Sequence, residues 1–311
     1  MSEAAHTDPG AVPSEWQESR RRFLALVSEV RPELHRYCAR MTGSTADGED
    51  IVQDVLARAY YELPELKELP SLRPWLFRIA HNRSLDYLRR YERRMGEPLE
   101  AAMDIAAEGS SEPEHARARE DAVRLAVSRF LEITPVARSS IILKDVLEYS
   151  LEEIAAMLEM SVPAVKAALH RGRERLEELS SAPGQATTPR ASSAPAIRYA
   201  QLFNARDWDG VRAMLLDDVK LDLVSREKRS GRENVGHYFH NYDRIHDWHL
   251  VPGWLDGREV QAVFRNLGDA RPGYFMEITF AGDRVAGIRD FRYVPYIGRE
   301  AAIEISQGDR K

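Results

Sequence analysis

Two stretches of this chain carry side chains whose types and spacing suit nucleic acid. In PSLRPWLFRIAHNRSLDYLRRYERR, residues 70–94, Asn82, Asp86, Arg89 and Arg93 recur at i, i+4, i+7 and i+11, so they line one side of a helix. Arg78, Arg83, Arg90 and Arg94 flank that row, and Trp75 and Phe77 stand near its start. Arginines supply cations for phosphates, an aromatic ring offers a flat surface to an unstacked base, and amides and carboxylates address base edges. A basic, solvated helix face over core aromatics has the same pattern when such a helix stands alone. The second stretch, SLEEIAAMLEMSVPAVKAALHRGRERLEEL, places Lys166, His170, Arg171, Arg173 and Arg175 on or near the second of two short helices. A third group, Asp222, Tyr242, His246, Asp256 and Asp290, holds the residue types of general acid–base chemistry; the alternative is that they are structural or surface groups. The pairs His237/His240 and His246/His249 do not read as a metal site. On a strand, as expected at His249, residues three apart point to opposite faces, and no cysteine joins either pair.

The elements that position these residues follow from apolar periodicity. From Trp16 to Met41, residues Phe23, Leu26, Val27, Val30, Leu34, Tyr37, Cys38 and Met41 form a helical stripe, broken at Thr42–Ser44. A second helix, Ala46 to Leu63, buries Ile51, Val52, Val55 and Ala59 and turns Asp50, Gln53, Asp54 and Arg58 outward. That outward face is either plain solvated surface or a dock for a basic partner. Pro70–Pro74 then opens the arginine-rich helix, since proline is tolerated in a first helical turn. Residues 96–115 are acidic and rich in Gly, Ser and Pro, which reads as a linker.

A second helical domain is expected over 116–180. Val123, Val127, Phe130 and Leu131 supply one stripe, and Pro135 opens a helix carrying Ile141, Ile142 and Val146. Ser150 and Glu153 have the spacing of a capping box, Ser161 is a natural N-cap, and Pro163 falls inside the tolerated first turn. This is helix-turn-helix spacing. Ile154, Ala155 and Leu158 can bury against Val165 and Leu169, leaving a second helix that is basic, with Ala164, Ala167 and Ala168 small enough for close approach to a major groove.

Composition bounds the rest. The 311 residues suffice for two or three domains, and 43% hydrophobic with 30% charged residues can bury real cores. A net charge of -6 argues against a wholly electrostatic DNA binder but permits local basic surfaces. The single cysteine, Cys38, excludes an internal disulfide and fits a reducing cytosol. No apolar run approaches membrane-spanning length, so a cytoplasmic protein with a short disordered tail over 1–14 is expected, with no cofactor and no metal.

After Leu179, SSAPGQATTPRASSAP reads as a flexible linker, residues 181–194. Beyond it, IRYAQLFNARDWDGVRAMLLDD predicts two amphipathic helices, followed by a strand over Val219–Val224 and a helical return over Gly231–Tyr242. Strands are expected at His249–Trp254, Glu259–Arg265, Tyr274–Phe280 and Val285–Tyr293, with turns at Asp256-Gly257 and Ala281-Gly282-Asp283. The fold class is therefore multi-domain. Two all-α domains precede an α+β, cone-like domain whose curved antiparallel sheet wraps its helices.

DGEDIVQDVLARAYYEL followed by SLRPWLFRIAHNRSLDYLRR resembles region 2 of bacterial extracytoplasmic-function (ECF) sigma factors, over residues 15–95. Residues 116–180 resemble region 4 of the same family, and 195–311 resemble SnoaL-like domains of the ketosteroid-isomerase-like cone fold, on element order and on LFNARDW followed by VRAMLLDDVKLDLV. The sigma resemblance implies core RNA polymerase and promoter DNA as partners. Asp50, Gln53 and Asp54 would then dock on the β′ coiled-coil, and region 4 would dock near the β flap. Trp75, Asn82, Arg83, Asp86, Arg89, Arg90 and Arg93, with the loop from Leu63 to Leu72, would grip the −10 strand; Lys166, Ala167, His170, Arg171 and Arg173 would read the −35 element. This chain has Glu159-Met160 where the family's turn often carries glycine, Val162-Pro163-Ala164 where a small residue, Gly and Thr are commoner, and no WLPEP-like linker segment. The expected function is promoter recognition without catalysis, with the C-terminal domain contacting the sigma domains and regulating them. A bifunctional regulator whose cone binds or isomerises a small ligand is the alternative, with Asp222, Tyr242, His246, Asp256 and Asp290 as its pocket. A repressor acting without polymerase would leave the first helical domain without a purpose.

Overall fold

The computed structural model describes residues 14–63, 72–95, 127–181, 190–243, 248–266 and 268–305. The proposed N-terminal tail, the linker over 96–115, nearly all of the loop from Leu63 to Leu72, Val123 and His246 lie outside the described residues. The chain divides into two compact units, one running to Leu179 without residues 126–128, the other from Ser180 onward.

The first unit starts with three helices, α1 (Ser14–Thr42), α2 (Thr45–Glu62) and α3 (Leu72–Met95). Their apolar stripes meet as the periodicity requires: Val30, Leu34, Tyr37, Cys38, Val52, Val55, Leu76, Phe77 and Ala80 are all buried. The turn between α1 and α2 is fixed by Gly43 at φ +71° and by Ser44, whose hydroxyl accepts from the Asp47 N–H at 3.2 Å. The two helices touch closely at Gly48, where an added Cβ would fall 2.5 Å from the backbone nitrogen of Ala39.

A 3₁₀ turn (Val127–Glu132) leads into α4 (Pro135–Ile141), which runs on as a π turn (Ile142–Val146). The helix-turn-helix follows as α5 (Leu151–Leu158) and α6 (Val162–Ser181). The capping box forms in both directions, with Glu153 N–H donating to Ser150 Oγ at 3.2 Å and Ser150 N–H donating to Glu153 Oε2 at 2.8 Å. Ser161 caps α6 by accepting from the Ala164 N–H at 3.3 Å. Between the two helices Glu159 takes the left-handed conformation, φ 55° and ψ 42°, where glycine is favoured.

The two helical modules, expected as separate domains, pack as one unit. Phe77 of α3 stacks edge-on between Tyr37 and Tyr149, with ring centroids 5.6 and 5.3 Å away. The Tyr37 hydroxyl meets Ser139 Oγ at 2.6 Å and His81 Nδ1 at 2.9 Å. Tyr149 donates to Glu33 at 2.7 Å, and Glu33 also accepts from Arg73 at 3.1 Å. Arg138, fully buried, donates to the carbonyls of Met41 at 2.6 Å, Leu131 at 3.1 Å and Ile133 at 2.7 Å.

The second unit opens with α7 (Ala194–Asn204) and α8 (Trp208–Met214). Seven strands follow in the spatial order β2-β1-β6-β5-β4-β3-β7. They are β1 (Leu215–Leu223), β2 (Glu227–Ser230), β3 (His249–Leu255), β4 (Arg258–Phe264), β5 (Tyr274–Ala281), β6 (Arg284–Asp290) and β7 (Glu304–Ile305). The expectation of a curved, wholly antiparallel sheet is corrected: the sheet is open and mixed. β1 pairs parallel with β6, Leu221 opposite Ile288, because the helical segment between β2 and β3 carries the chain away before the sheet resumes. β2 and β7 gave no signal in advance. EKRS is polar throughout, and two residues are too few to show alternation.

Among the described residues, no helix is long and apolar enough to cross a membrane, and no group of three His, Cys, Asp or Glu side chains is placed to hold a metal ion.

The α1–α2 contact supplies a stability prediction. Gly48→Ala would ordinarily add about 1 kcal/mol of helix propensity. Here the methyl has backbone in its way, so overpacking of about 1–3 kcal/mol prevails and the urea midpoint of the first unit falls.

Candidate nucleic-acid interface

A pocket of about 240 Å³ opens between α2 and α3, lined by Arg58, Glu62, Trp75, Arg78, Ile79, Asn82, Arg83 and Asp86. Helical spacing assembles it: Trp75, Arg78, Asn82 and Asp86 are three and four residues apart on α3, and Arg58 and Glu62 are four apart on α2. Arg58 Nε donates to Glu62 at 2.6 Å. Arg83 lies 3.7 Å from Asp54, and Asp86 lies 3.4 Å from Arg89. Of the residues expected here, Asn82, Asp86, Arg89, Arg90 and Arg93 are exposed and Arg83 is half-buried. Arg90 and Arg93 fold back onto their own helix, donating to the carbonyls of Asp86 at 3.2 Å and Arg89 at 3.1 Å. The side chain of Arg94 lies outside the described residues.

Chemically, three guanidinium groups line a cleft that also offers two carboxylates and an amide. Such a set can hold phosphate and at the same time accept hydrogen bonds from exocyclic base amines. The aromatic expectation is corrected in part. Phe77 is fully buried core between two tyrosines, in the seam between the modules, and Trp75, at the wall of the α2–α3 pocket, keeps only 6% of its surface. Arg58 reads from the sequence only as an outward polar residue and Glu62 carries no assignment there; their i,i+4 spacing is the available signal for a pair, and nothing local shows that α3 closes over them. Asp50 and Asp54 are exposed and Gln53 is half-buried on the outer side of α2.

On α6, Lys166 is exposed, and His170 and Arg171 are half-buried; His170 stands 3.6 Å from Glu174. Two residues expected on that face are elsewhere. Ala167 is buried, and Arg173 is buried in a two-pronged pair with Asp145, at 2.6 and 3.0 Å. The reason is geometric. A residue two places from the half-buried Arg171 points to the opposite side of a helix, and Asp145 of the π turn waits there to neutralise it.

Among the described residues, the acid–base candidates of the second unit fall in separate places, save Tyr242 and Asp290. Asp222 lies in a charge ladder on one sheet face, where Lys228, Asp222, Arg289, Glu277 and Arg258 alternate across five strands at 3.6, 3.9, 2.9 and 3.6 Å. A shallow groove of about 550 Å³, lined by Lys220, Asp222, Lys228, Ser230, Thr279 and Arg289 among others, runs over the same face. Asp256 sits in the β3–β4 turn at φ 49°. Tyr242 and Asp290 do meet, in a buried cluster that the sequence reading had only half named. Tyr238 donates to Asp290 at 2.5 Å, and Tyr242 reaches Asp290 at 3.3 Å, Tyr238 at 2.9 Å and Tyr274 at 3.4 Å. Burial pushes the Asp290 carboxyl up, and the same burial pushes all three phenols up.

This cluster predicts a pH dependence. An acid whose folded pKa lies above its unfolded value leaves the folded state holding more protons, so stability falls as pH rises from the ordinary carboxylate range to the raised value. Asp290→Asn should remove that slope and leave the second unit at least as stable at neutral pH. Melting of the chain and its variant across pH 4 to 8 is the measurement; a steeper acidic slope in the variant would contradict it.

Comparison with known proteins gives concordant matches. Residues 26–94 match the family model described as Sigma-70 region 2, and residues 128–176 match Sigma-70, region 4. An ECF RNA polymerase sigma factor, SigG of Mycobacterium tuberculosis, is 28% identical over 304 residues, covering 88% of this chain and 82% of its own length. SigW of Bacillus subtilis, carrying the same description, is 30% identical over 164 residues, 50% of this chain and 87% of its length. Among solved structures, the extracytoplasmic function sigma factor SigJ of Mycobacterium tuberculosis covers 86% of this chain and 95% of its own at 20% identity, with a TM-score of 0.34.

Proposed function

This chain belongs to the ECF family of RNA polymerase sigma factors, and from that premise we propose how its own residues divide the work of initiation. The family acts with core RNA polymerase in starting transcription; the assignment of contacts to residues is our reading. The pocket between α2 and α3 receives an unstacked base of the −10 strand. Asn82, Asp86 and Glu62 address its edge, while Arg58, Arg78 and Arg83 hold adjacent phosphates. Unstacking costs a few kcal/mol, which contacts inside the pocket offset. Arg89, Arg90 and Arg93 extend the basic track along α3. On the −35 duplex, Lys166, His170 and Arg171 enter the major groove from α6, with Ala167 and Arg173 behind them as packing. Asp50, Gln53 and Asp54 form the dock for the β′ coiled-coil, and the helix-turn-helix docks near the β flap.

The observation that carries this reading is the pocket itself. A cleft large enough for one base, walled by a basic row, is what a single-strand reader requires. Polymerase performs the bond chemistry, and the site of action is the cytoplasm. In this reading the C-terminal unit tunes activity, since a tether of residues 181–194 keeps its local concentration high and lets a weak contact count.

Run-off transcription with purified core polymerase, on the upstream region of the chain's own gene, tests the assignment. Asn82→Ala should cost about 1–3 kcal/mol of discrimination at one −10 position, whereas Arg90→Ala should weaken all templates alike and reduce the salt slope by about one. Failure of the chain to associate with core polymerase would sink the reading. Removing residues 195–311 should alter transcript yield; unchanged yield together with unchanged polymerase affinity would remove the regulatory role of that unit.

A further inference from the structure

The turn that leads into the −35 reading helix stands against the wall of the strand pocket in this structure. Arg78, in the wall of the strand pocket, is paired at 3.1 Å with Glu159, which lies in the helix-turn-helix turn three residues before α6 begins. The elements they are assigned to read are separated by about 25 base pairs, roughly 85 Å of duplex at 3.4 Å per pair. One compact unit cannot engage both while Arg78 and Glu159 touch. The structure is therefore that of a chain not yet on its promoter.

The position of Glu159 deserves a physical reason. Its backbone is left-handed, a conformation that costs a non-glycine residue about 1 kcal/mol, and glycine would hold the same turn without that strain. What glycine lacks is the carboxylate. Glu159 offers two anionic oxygens to a guanidinium that, on the reading above, otherwise meets DNA phosphate. Further across the seam, Tyr149 donates to Glu33, Tyr37 meets Ser139, and Arg138 donates to Met41. All of these are hydrogen bonds that water can replace when the modules part.

The geometry points to an autoinhibitory latch in cis: Glu159 of the region 4 module stands in for a DNA phosphate on Arg78 of the region 2 pocket, and nucleic acid must displace it to enter. This inference rests on the assignment of the pocket to the −10 strand. The pair is half exposed, with Arg78 at 44% and Glu159 at 67%, so the latch is weak and reversible. It acts as a competitor for the pocket and adds little to the stability of the fold.

The test uses the full chain and a fluorescein-labelled, 24-nucleotide single strand of mixed sequence, followed by fluorescence anisotropy. Glu159→Gln removes the charge and keeps the left-handed residue; Glu159→Gly removes both the charge and the strain. Each should tighten binding about two- to fivefold and raise run-off yield at limiting chain. Glu152→Gln, a neighbouring exposed glutamate of α5, removes the same charge away from Arg78 and should leave both readouts unchanged. The latch is overturned if Glu159→Gln behaves like Glu152→Gln, or if Glu159→Gly raises the melting temperature without tightening binding. Absence of run-off from the unaltered chain would instead overturn the assignment of the pocket.

Discussion

The first unit depends on a buried cation that, among the described residues, is answered by carbonyls and by no carboxylate. Arg138 is wholly buried, and its guanidinium is held by backbone carbonyls: those of Leu131 and Ile133 in its own module, and that of Met41 at the end of α1. The last carbonyls of a helix carry partial negative charge and lack intrahelical partners, so a buried guanidinium satisfies α1 and is satisfied by it. Burial pushes the arginine down to about 10, which still leaves it charged at neutral pH. Because one of its acceptors belongs to the other module, the two helical modules share a polar joint inside their common core. His81, pushed down to about 4 by burial, is neutral in the same seam, next to Tyr37 and Ser139.

A joint made of such groups has a particular character. Purely apolar seams resist parting in proportion to the area they hide, and no alternative partner relieves the loss. Here Tyr37, Ser139, Tyr149, Glu33 and Arg73 can each exchange a protein partner for water, at a net cost of about 0.5–1.5 kcal/mol per bond. Phe77, between its two tyrosines, supplies the apolar part of the contact. The modules are thus joined firmly enough to form one body, by interactions whose cost of separation is modest. That suits a chain whose two readers have targets far apart on DNA.

Much of this was legible in the sequence wherever one local rule governed. The capping box at Ser150 and Glu153, the N-cap at Ser161 and the stripes of α1 and α2 all follow from residue type and spacing. What stayed hidden was set by partners distant in the chain. Arg173 reads as one more basic residue on α6 until Asp145, twenty-eight positions earlier, takes it inward. Phe77 reads as a stacking surface until Tyr149 of the second module packs against its ring. In the C-terminal unit the alternation of β1 and β6 was visible, but their parallel pairing was not, since period-two patterning is blind to strand direction. Tyr238 and Tyr274 were likewise silent, because nothing in the spacing of either marks it as a neighbour of Asp290.

The ladder on the outer sheet face bears on how the C-terminal unit behaves near a polyanion. Lys228, Asp222, Arg289, Glu277 and Arg258 alternate in sign from strand to strand, so each cation already has an anion within reach. Fields from such a row cancel within a few ångströms, and little remains to draw in a phosphate backbone. Within the ladder the charges answer one another before they answer a polyanion; exposed Lys220, in the groove on the same face, stands outside that row.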